Sequence, residues 1–346
     1  MNMDLSALKD KTLLITGGTG MIGKWMIDYL LANADCKIIV AGRSEEKFRQ
    51  RFPANHNLSF LKWNPSHPTP LITNHQPPAT NHQLPATSHQ PPATNLDYII
   101  HLASNTHPVA YATDPVSTVV MNVNAAKELL DLAVAKKVRR FVYASSVEIY
   151  GQNRGDCEKF KEDYCGYIDC NTLRAGYPES KRCGEALCQA YLKQYGLDVV
   201  IPRIARVYGP TLLKDDTKAL SQFIRNALEG KDIVLKSEGR QYFSYLHVAD
   251  AVSGILTVML KGEKGEAYNI ADEASDITLR DLAGLIAAQC GRKVVFDIPD
   301  AAENAGFSPA MLARMDSGKL QRLGWRAQYD LCAGIAETIS LLGGKN

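Results

Sequence analysis

Apolar residues fall into two alternating rhythms along this chain. Short unbroken runs predict buried strands at 12–16, 37–41, 58–63, 96–104, 140–144 and 198–203, while apolar positions three and four apart predict helices at 24–32, 116–136 and from Tyr177 toward Tyr191. In the helix at 116–136 the expected core positions are Val119, Val123, Leu129, Leu130 and Leu132. Repeated alternation of strand and helix is the pattern of a parallel sheet covered on both faces, because each parallel connection needs a crossover that lays a helix on the sheet. Past position 205 the alternation loosens into a helix at 217–228, a strand at 240–245, a helix at 248–260, a short strand at 267–270 and a helix at 279–290. The expected fold is therefore α/β. A Rossmann-type doubly wound parallel sheet occupies 1–205, and a smaller C-terminal α/β substrate lobe occupies 206–346, from which a strand can return to the main sheet.

One stretch has neither rhythm. Thr73-Asn74-His75-Gln76-Pro77-Pro78-Ala79 recurs with small changes at 80–86 and again at 87–93. Proline in every unit prevents a helix from aligning His75, His82 and His89, and the polar composition cannot bury a core, so 73–95 reads as a flexible surface insertion without a metal site. The remaining composition narrows the function classes. With 346 residues, 45% of them hydrophobic, the chain can bury a large core, and 39 basic against 37 acidic residues leave no charge excess suited to nucleic acid or an anionic membrane. No secretory leader pattern opens the sequence, and no run approaches the roughly 20 apolar residues that span a bilayer. We expect a soluble cytoplasmic protein. Its eight cysteines contain no Cys-x-x-Cys pair and are expected to be free thiols, with no metal bound.

Candidate chemistry begins where the first strand ends, at Gly17-Gly18-Thr19-Gly20-Met21-Ile22-Gly23. Glycines at 17, 20 and 23 permit a tight turn and close approach of the backbone to a pyrophosphate, with the helix N-terminus behind it. Strand, turn, helix and second strand in this order raise a dinucleotide site well above a structural turn. At the end of the second strand, where an acid usually meets the adenosine ribose, stand Arg43 and Ser44. Arg43 either holds a ribose 2′-phosphate, favouring NADP over NAD, or is solvated. Leu102, Ala103 and Ser104 end the fourth strand with small residues beside which a cofactor fits, and Ser146 and Glu148 lie just past the fifth. Tyr177 and Lys181, four apart, share a helix face, and a nearby ammonium favours a phenolate. Alone, such a pair is most often a surface contact.

Together, the glycine turn, Ser146, Tyr177 with Lys181, Asn122, the stretch 203–210 and Tyr245-Leu246-His247-Val248-Ala249-Asp250 make the chain resemble the extended short-chain dehydrogenase/reductases, in the nucleotide-sugar epimerase/dehydratase group. The resemblance covers most of the chain outside the heptads. It implies that Tyr177 is the base on the sugar 4-hydroxyl, that Lys181 holds the nicotinamide ribose and lowers the tyrosine pKa, and that Ser146 bonds the reacting oxygen. It also implies a cofactor site of Gly17, Gly20, Met21, Ile22, Gly23, Arg43, Leu102, Ala103, Ser104, Asn122 and Lys181, and substrate contacts from Thr106, Arg174, Arg206 and Tyr245. The pattern 174–182 is nearest to the UDP-glucuronate decarboxylases, or UDP-xylose synthases, in which Glu148 would serve C5 chemistry; Val147 stands where 4,6-dehydratases carry an aspartate. Arg206 and Phe243 replace an asparagine and an arginine that usually meet the substrate diphosphate. Arg206 either restores that charge or marks a substrate without the usual diphosphate.

The resemblance implies a lyase or isomerase that recycles NAD or NADP on a nucleotide-sugar substrate, and a homodimer formed through the helices at 116–136 and 177–195. Other readings remain open at this level: a 4- or 5-epimerase, a 4,6-dehydratase, an NADPH-dependent carbonyl reductase, or a dinucleotide-sensing regulator on the same scaffold.

Overall fold

A computed structural model describes residues 3–65, 95–104, 113–213, 216–298 and 311–344. Thr106 and nearly all of the heptad insertion lie outside them. The chain opens with β1 (Lys11–Thr16), α1 (Met21–Asn33), β2 (Cys36–Gly42), α2 (Glu45–Arg51), β3 (Leu58–Lys62) and β4 (Tyr98–His101). It continues through α3 (Pro115–Ala135), β5 (Arg140–Tyr143), the two-residue β6 (Ser145–Ser146), α4 (Gly176–Tyr195) and β7 (Val199–Ile204). Next come β8 (Arg206–Tyr208), α5 (Ala219–Leu228), β9 (Ile233–Leu235), β10 (Tyr242–His247), α6 (Val248–Lys261), β11 (Ala267–Ile270) and β12 (Asp276–Thr278). The remaining elements are α7 (Leu279–Gln289), β13 (Val294–Phe296), β14 (Leu312–Ala313), α8 (Gly318–Arg322) and α9 (Leu331–Gly343).

The main sheet runs β11-β7-β5-β4-β1-β2-β3, with β6 also on β7, and every pairing in it is parallel. Alternation along β1 explains its unbroken apolar run. Leu13 and Ile15 join the core formed with Met26, Ile27 and Leu30 of α1, whereas Leu14 faces the opposite core with Leu129 and Leu130 of α3. Burying a residue of this size contributes about 1.5–3 kcal/mol, so a strand lined on both sides needs apolar side chains at successive positions. From beyond position 205, β11 adds the edge strand next to β7, and α6 packs on α1. Strands β8, β10, β12 and β14 form a second sheet, with β8 held parallel to β10.

The helices depart from the expected ones in two places. Leu129, Leu130 and Leu132 are buried, but Val119 is 36% exposed and Val123 only half-buried. The inner stripe of α3 instead runs through Thr118, Asn122, Ala125 and Ala126, so Val116, Val119, Val120 and Val123 form a second apolar stripe on the outer side. Helix α2 was not expected because it buries no residue and so has no apolar period. It is held locally, with Ser44 Oγ capping its start by accepting from Lys47 N at 3.1 Å and Glu45 pairing with Arg49. No helix among the described residues is long and apolar enough to cross a membrane.

Candidate active site

Parallel strands all point their carboxyl ends the same way, and the candidate residues gather there. After β1 the chain turns through Gly17 at φ +71°, a left-handed conformation that favours glycine, and a Cβ at Gly17 would meet Ala103 N at 2.7 Å. A Cβ at Gly23 would meet Gly17 O at 2.3 Å. The turn therefore lies tightly between the end of β4 and the first turn of α1. Gly20 caps α1 without a side-chain acceptor, and Met21 and Ile22 open the helix, so the first amides are left for an external anion. Thr16 Oγ1 accepts from Ala103 N at 3.1 Å and bonds His101 Nδ1 at 2.8 Å, fixing Leu102 and Ala103 beside the turn. Burial pulls His101 down to about 3, so its ring is neutral. This cradle fits a dinucleotide pyrophosphate. Arg43 is exposed at the far end of β2, and the neighbouring Ser44 hydroxyl is engaged by α2.

The second group converges from β5, β6 and α4. Tyr177 is 6% exposed and Lys181 3%, on the face of α4 that packs inward. Ser180, not singled out from sequence, ties that face to α3 and β4. Its Oγ donates to Tyr177 O at 2.7 Å and accepts from Asn122 Nδ2 at 2.9 Å, while Ser104 Oγ donates to Asn122 Oδ1 at 3.0 Å. Burial raises the Tyr177 phenol well above its ordinary value; hydrogen bonds from Ser146 and Ser104 oppose this, and the Glu148 carboxylate reinforces it. The expected lowering by Lys181 is not what dominates. Lys181 Nζ donates to Ala144 O at 2.8 Å and lies 6.0 Å from the Tyr177 ring centre, so its charge is turned toward the strand end. Burial also pulls Lys181 down to about 8, against the pull of Glu185 and Cys188.

Glu148 occupies a helical turn over Val147–Tyr150 that Ser146 caps, with Ser146 Oγ accepting from Glu148 N at 3.3 Å. Its carboxylate meets two arginines: Arg206 Nη2 at 3.1 Å and Arg174 Nη2 at 3.9 Å. Arg206 and Tyr245 are register partners across β8 and β10, and the Arg206 guanidinium lies 3.7 Å from the centre of the Phe243 ring. Tyr245 is 3% exposed, and burial pushes its phenol up to about 12 while Arg206 opposes the shift. Of the predicted substrate contacts, Arg174 and Arg206 thus come together on Glu148, and Tyr245 lies beside Arg206. No sequence signal announced the Arg206–Glu148 pair, whose members are 58 residues apart.

A dinucleotide cradle on a parallel sheet, with a buried Tyr-Lys pair at its mouth, defines a nicotinamide-dependent enzyme of the extended short-chain dehydrogenase/reductase type. The model of the NAD dependent epimerase/dehydratase family matches residues 13–271, and the chain belongs to that family. It is 29% identical over 328 residues to UDP-glucuronic acid decarboxylase 6 of Arabidopsis thaliana, covering 93% of this chain and 86% of that one. It is 28% identical to UDP-glucuronic acid decarboxylase 1 of Danio rerio, covering 97% and 73%. Among solved structures, it superposes on the dTDP-glucose 4,6-dehydratase of Streptomyces venezuelae, crystallised with NAD, at a TM-score of 0.78 and 26% identity, over 95% of this chain and 96% of the other. The protein is thus an NAD-dependent enzyme of the extended short-chain dehydrogenase/reductase type.

Proposed function

We infer that the protein acts on UDP-glucuronate, oxidising C4 transiently and releasing the C5 carboxylate as carbon dioxide. The observation that carries this reading is the convergence of Tyr177, Ser146 and Glu148 at one strand end, in a chain related to UDP-glucuronic acid decarboxylases. Tyr177 takes the proton of the 4-hydroxyl as a phenolate, which the Lys181 ammonium and the positive ring of a bound nicotinamide would favour against its burial, and Ser146 bonds the same oxygen and holds it in place. The bound nicotinamide supplies the acceptor for the C4 hydride and later its donor. A ketone at C4 makes the substrate a β-keto acid. The C5–carboxylate bond then breaks, its electron pair passes into an enolate on the C4 oxygen held by Tyr177 and Ser146, a proton from solvent water is taken up at C5 as carbon dioxide leaves, and Tyr177 returns its proton to the C4 oxygen when the hydride comes back to C4. Incubation with UDP-glucuronate is expected to release carbon dioxide and yield a UDP-pentose; recovery of the substrate unchanged contradicts the reading.

The engagement of Glu148 with Arg206 favours one second reading, 4-epimerisation, which needs no proton chemistry at C5. It would return UDP-galacturonate with no loss of carbon. We take NAD as the cofactor, as in the solved dehydratase, and the commitment of Ser44 to the α2 cap supports this choice over a 2′-phosphate site. The outer stripe of α3, with Val116 71% and Val120 47% exposed, supports a homodimer formed through α3 and α4.

Lys181 gives the reaction a pH signature. Its ammonium loses its proton near pH 8, well below its ordinary value, and with it goes the positive charge beside Tyr177. The ratio kcat/KM is expected to fall above about pH 8, and in Lys181→Arg, whose guanidinium stays charged, that alkaline limb is expected to disappear. Stability moves in the opposite sense. Between about 8 and the ordinary lysine value the unfolded chain binds this proton and the folded chain does not, so this group favours folding increasingly as pH rises.

A further inference from the structure

Arg206 was expected, from its place in the chain, to face the substrate diphosphate or to mark its absence. The structure turns it elsewhere. Its Nη2 is bound to Glu148 Oε1 at 3.1 Å, and Glu148 sits in the turn that Ser146 caps, with Ser146 Oγ accepting from Glu148 N at 3.3 Å, at the strand end that Tyr177 faces. The other face of the guanidinium is covered by Phe243, with the charge 3.7 Å from the ring centre. Arg206 and Phe243, two departures from the family pattern, are therefore one local arrangement: the ring that replaces an arginine supports the arginine that replaces an asparagine. Arg174 approaches the other oxygen of Glu148 at 3.9 Å, so two guanidinium groups flank one carboxylate. Arg206 Nη1 is also buried without a hydrogen-bond partner among the described residues, and a buried guanidinium N–H without an acceptor is costly.

Position along the sugar decides which anion completes this set. Tyr177 fixes C4 of the ring, C5 is the adjacent carbon, and C1, which bears the diphosphate, lies across the ring from C4. A guanidinium pinned to the carboxylate that neighbours Tyr177 is on the C4–C5 side. We propose that Arg206, oriented by Glu148 and Phe243 and assisted by Arg174, binds the C5 carboxylate of the hexuronate and makes the enzyme select uronates over neutral hexoses. A planar fork matches a carboxylate in two-point contact, which an asparagine at this position does not provide. In this arrangement Glu148 is a positioning residue for the arginine. This inference rests on the nucleotide-hexuronate reading above and specifies its substrate contact.

The test is equilibrium binding of UDP-glucuronate and UDP-glucose by calorimetry to the Tyr177→Phe holoenzyme, which holds the sugar without turning it over and serves as the background for each variant, with carbon dioxide release measured in parallel in the protein that keeps Tyr177. With Arg206 in place, UDP-glucuronate is expected to bind more tightly than UDP-glucose. Arg206→Asn is expected to weaken UDP-glucuronate by about 10–100-fold, the range of a lost charge-assisted contact, and UDP-glucose by no more than about threefold. Arg206→Lys, which keeps the charge and loses the fork, is expected to fall between them for the uronate. Phe243→Leu keeps the guanidinium and removes its ring support, and is expected to reduce the same selectivity by about threefold, which serves if Arg206→Asn does not fold. Equal loss for both ligands in Arg206→Asn would place the residue on the diphosphate and overturn the proposal, as would unchanged uronate binding or a preference for UDP-glucose with Arg206 in place. Selective uronate binding without carbon dioxide release would contradict decarboxylation and leave the carboxylate contact standing. Carbon dioxide release with no Arg206-dependent selectivity would do the reverse.

Discussion

Tyr177→Phe is expected to lower kcat on UDP-glucuronate by about 10²–10⁴-fold, the usual contribution of a positioned acid–base group, with KM changed by no more than about threefold. The substitution removes one oxygen from a buried ring and keeps the rest of its packing. Ser180 bonds the Tyr177 backbone carbonyl, so α4 keeps its tie to α3 through Asn122, and Lys181 keeps its bond to Ala144 O. What disappears is the phenol that Ser146 and Ser104 address. Steady-state kinetics check the prediction, with thermal unfolding as the control for folding. A variant retaining more than a tenth of wild-type kcat would remove Tyr177 from the role of base.

The largest expected effect on stability lies behind the site. Arg203 of β7 meets Glu185 of α4 through two bonds, Nε to Oε1 at 3.0 Å and Nη2 to Oε2 at 2.7 Å, with the side chains only 12% and 13% exposed. The same guanidinium donates to Tyr150 OH at 2.9 Å and to Glu162 O at 2.6 Å, and Tyr150 OH donates to Asn269 Oδ1 of β11 at 2.6 Å. One arginine thus connects the sheet, the helix that carries Tyr177 and the loop after Gly151. Glu185→Ala is expected to cost about 3–5 kcal/mol in urea unfolding, because it strands a buried guanidinium. A cost below about 1 kcal/mol would show that water or a neighbour replaces the carboxylate without loss.

Much of the scaffold was legible because its causes are local. A strand buried on both faces needs an unbroken apolar run, and β1, β2, β5 and β7 show it within a few residues of their observed ends. The glycine turn was legible for the same reason: Gly17 and Gly23 lie where no side chain fits. Helix α2 was not legible, because a helix held by a serine cap and surface ion pairs has no apolar period. Val119 misled because α3 carries two apolar stripes and spacing alone does not say which one meets the sheet. In the site, residue types could be read from the chain and their pairings could not. Glu148 with Arg206, Arg206 with Phe243, and Asn122 with Ser180 join positions brought together only by the crossovers. The Lys181 ammonium followed the same rule: four-residue spacing put it on the face of Tyr177, and the Ala144 carbonyl decided where its charge points.

Transient oxidation at C4 is the claim on which the functional account depends. The most direct test uses UDP-glucuronate carrying deuterium at C4, with the dinucleotide sampled during a single turnover, the product isolated after full turnover, and the label located by mass spectrometry and NMR. The account predicts that during a single turnover the deuterium appears transiently on the reduced dinucleotide and then returns to the same sugar, so that the UDP-pentose retains it at C4 and no dinucleotide is consumed. Turnover in which the dinucleotide never carries the label, loss of the label from the product, or consumption of one dinucleotide per sugar would contradict it.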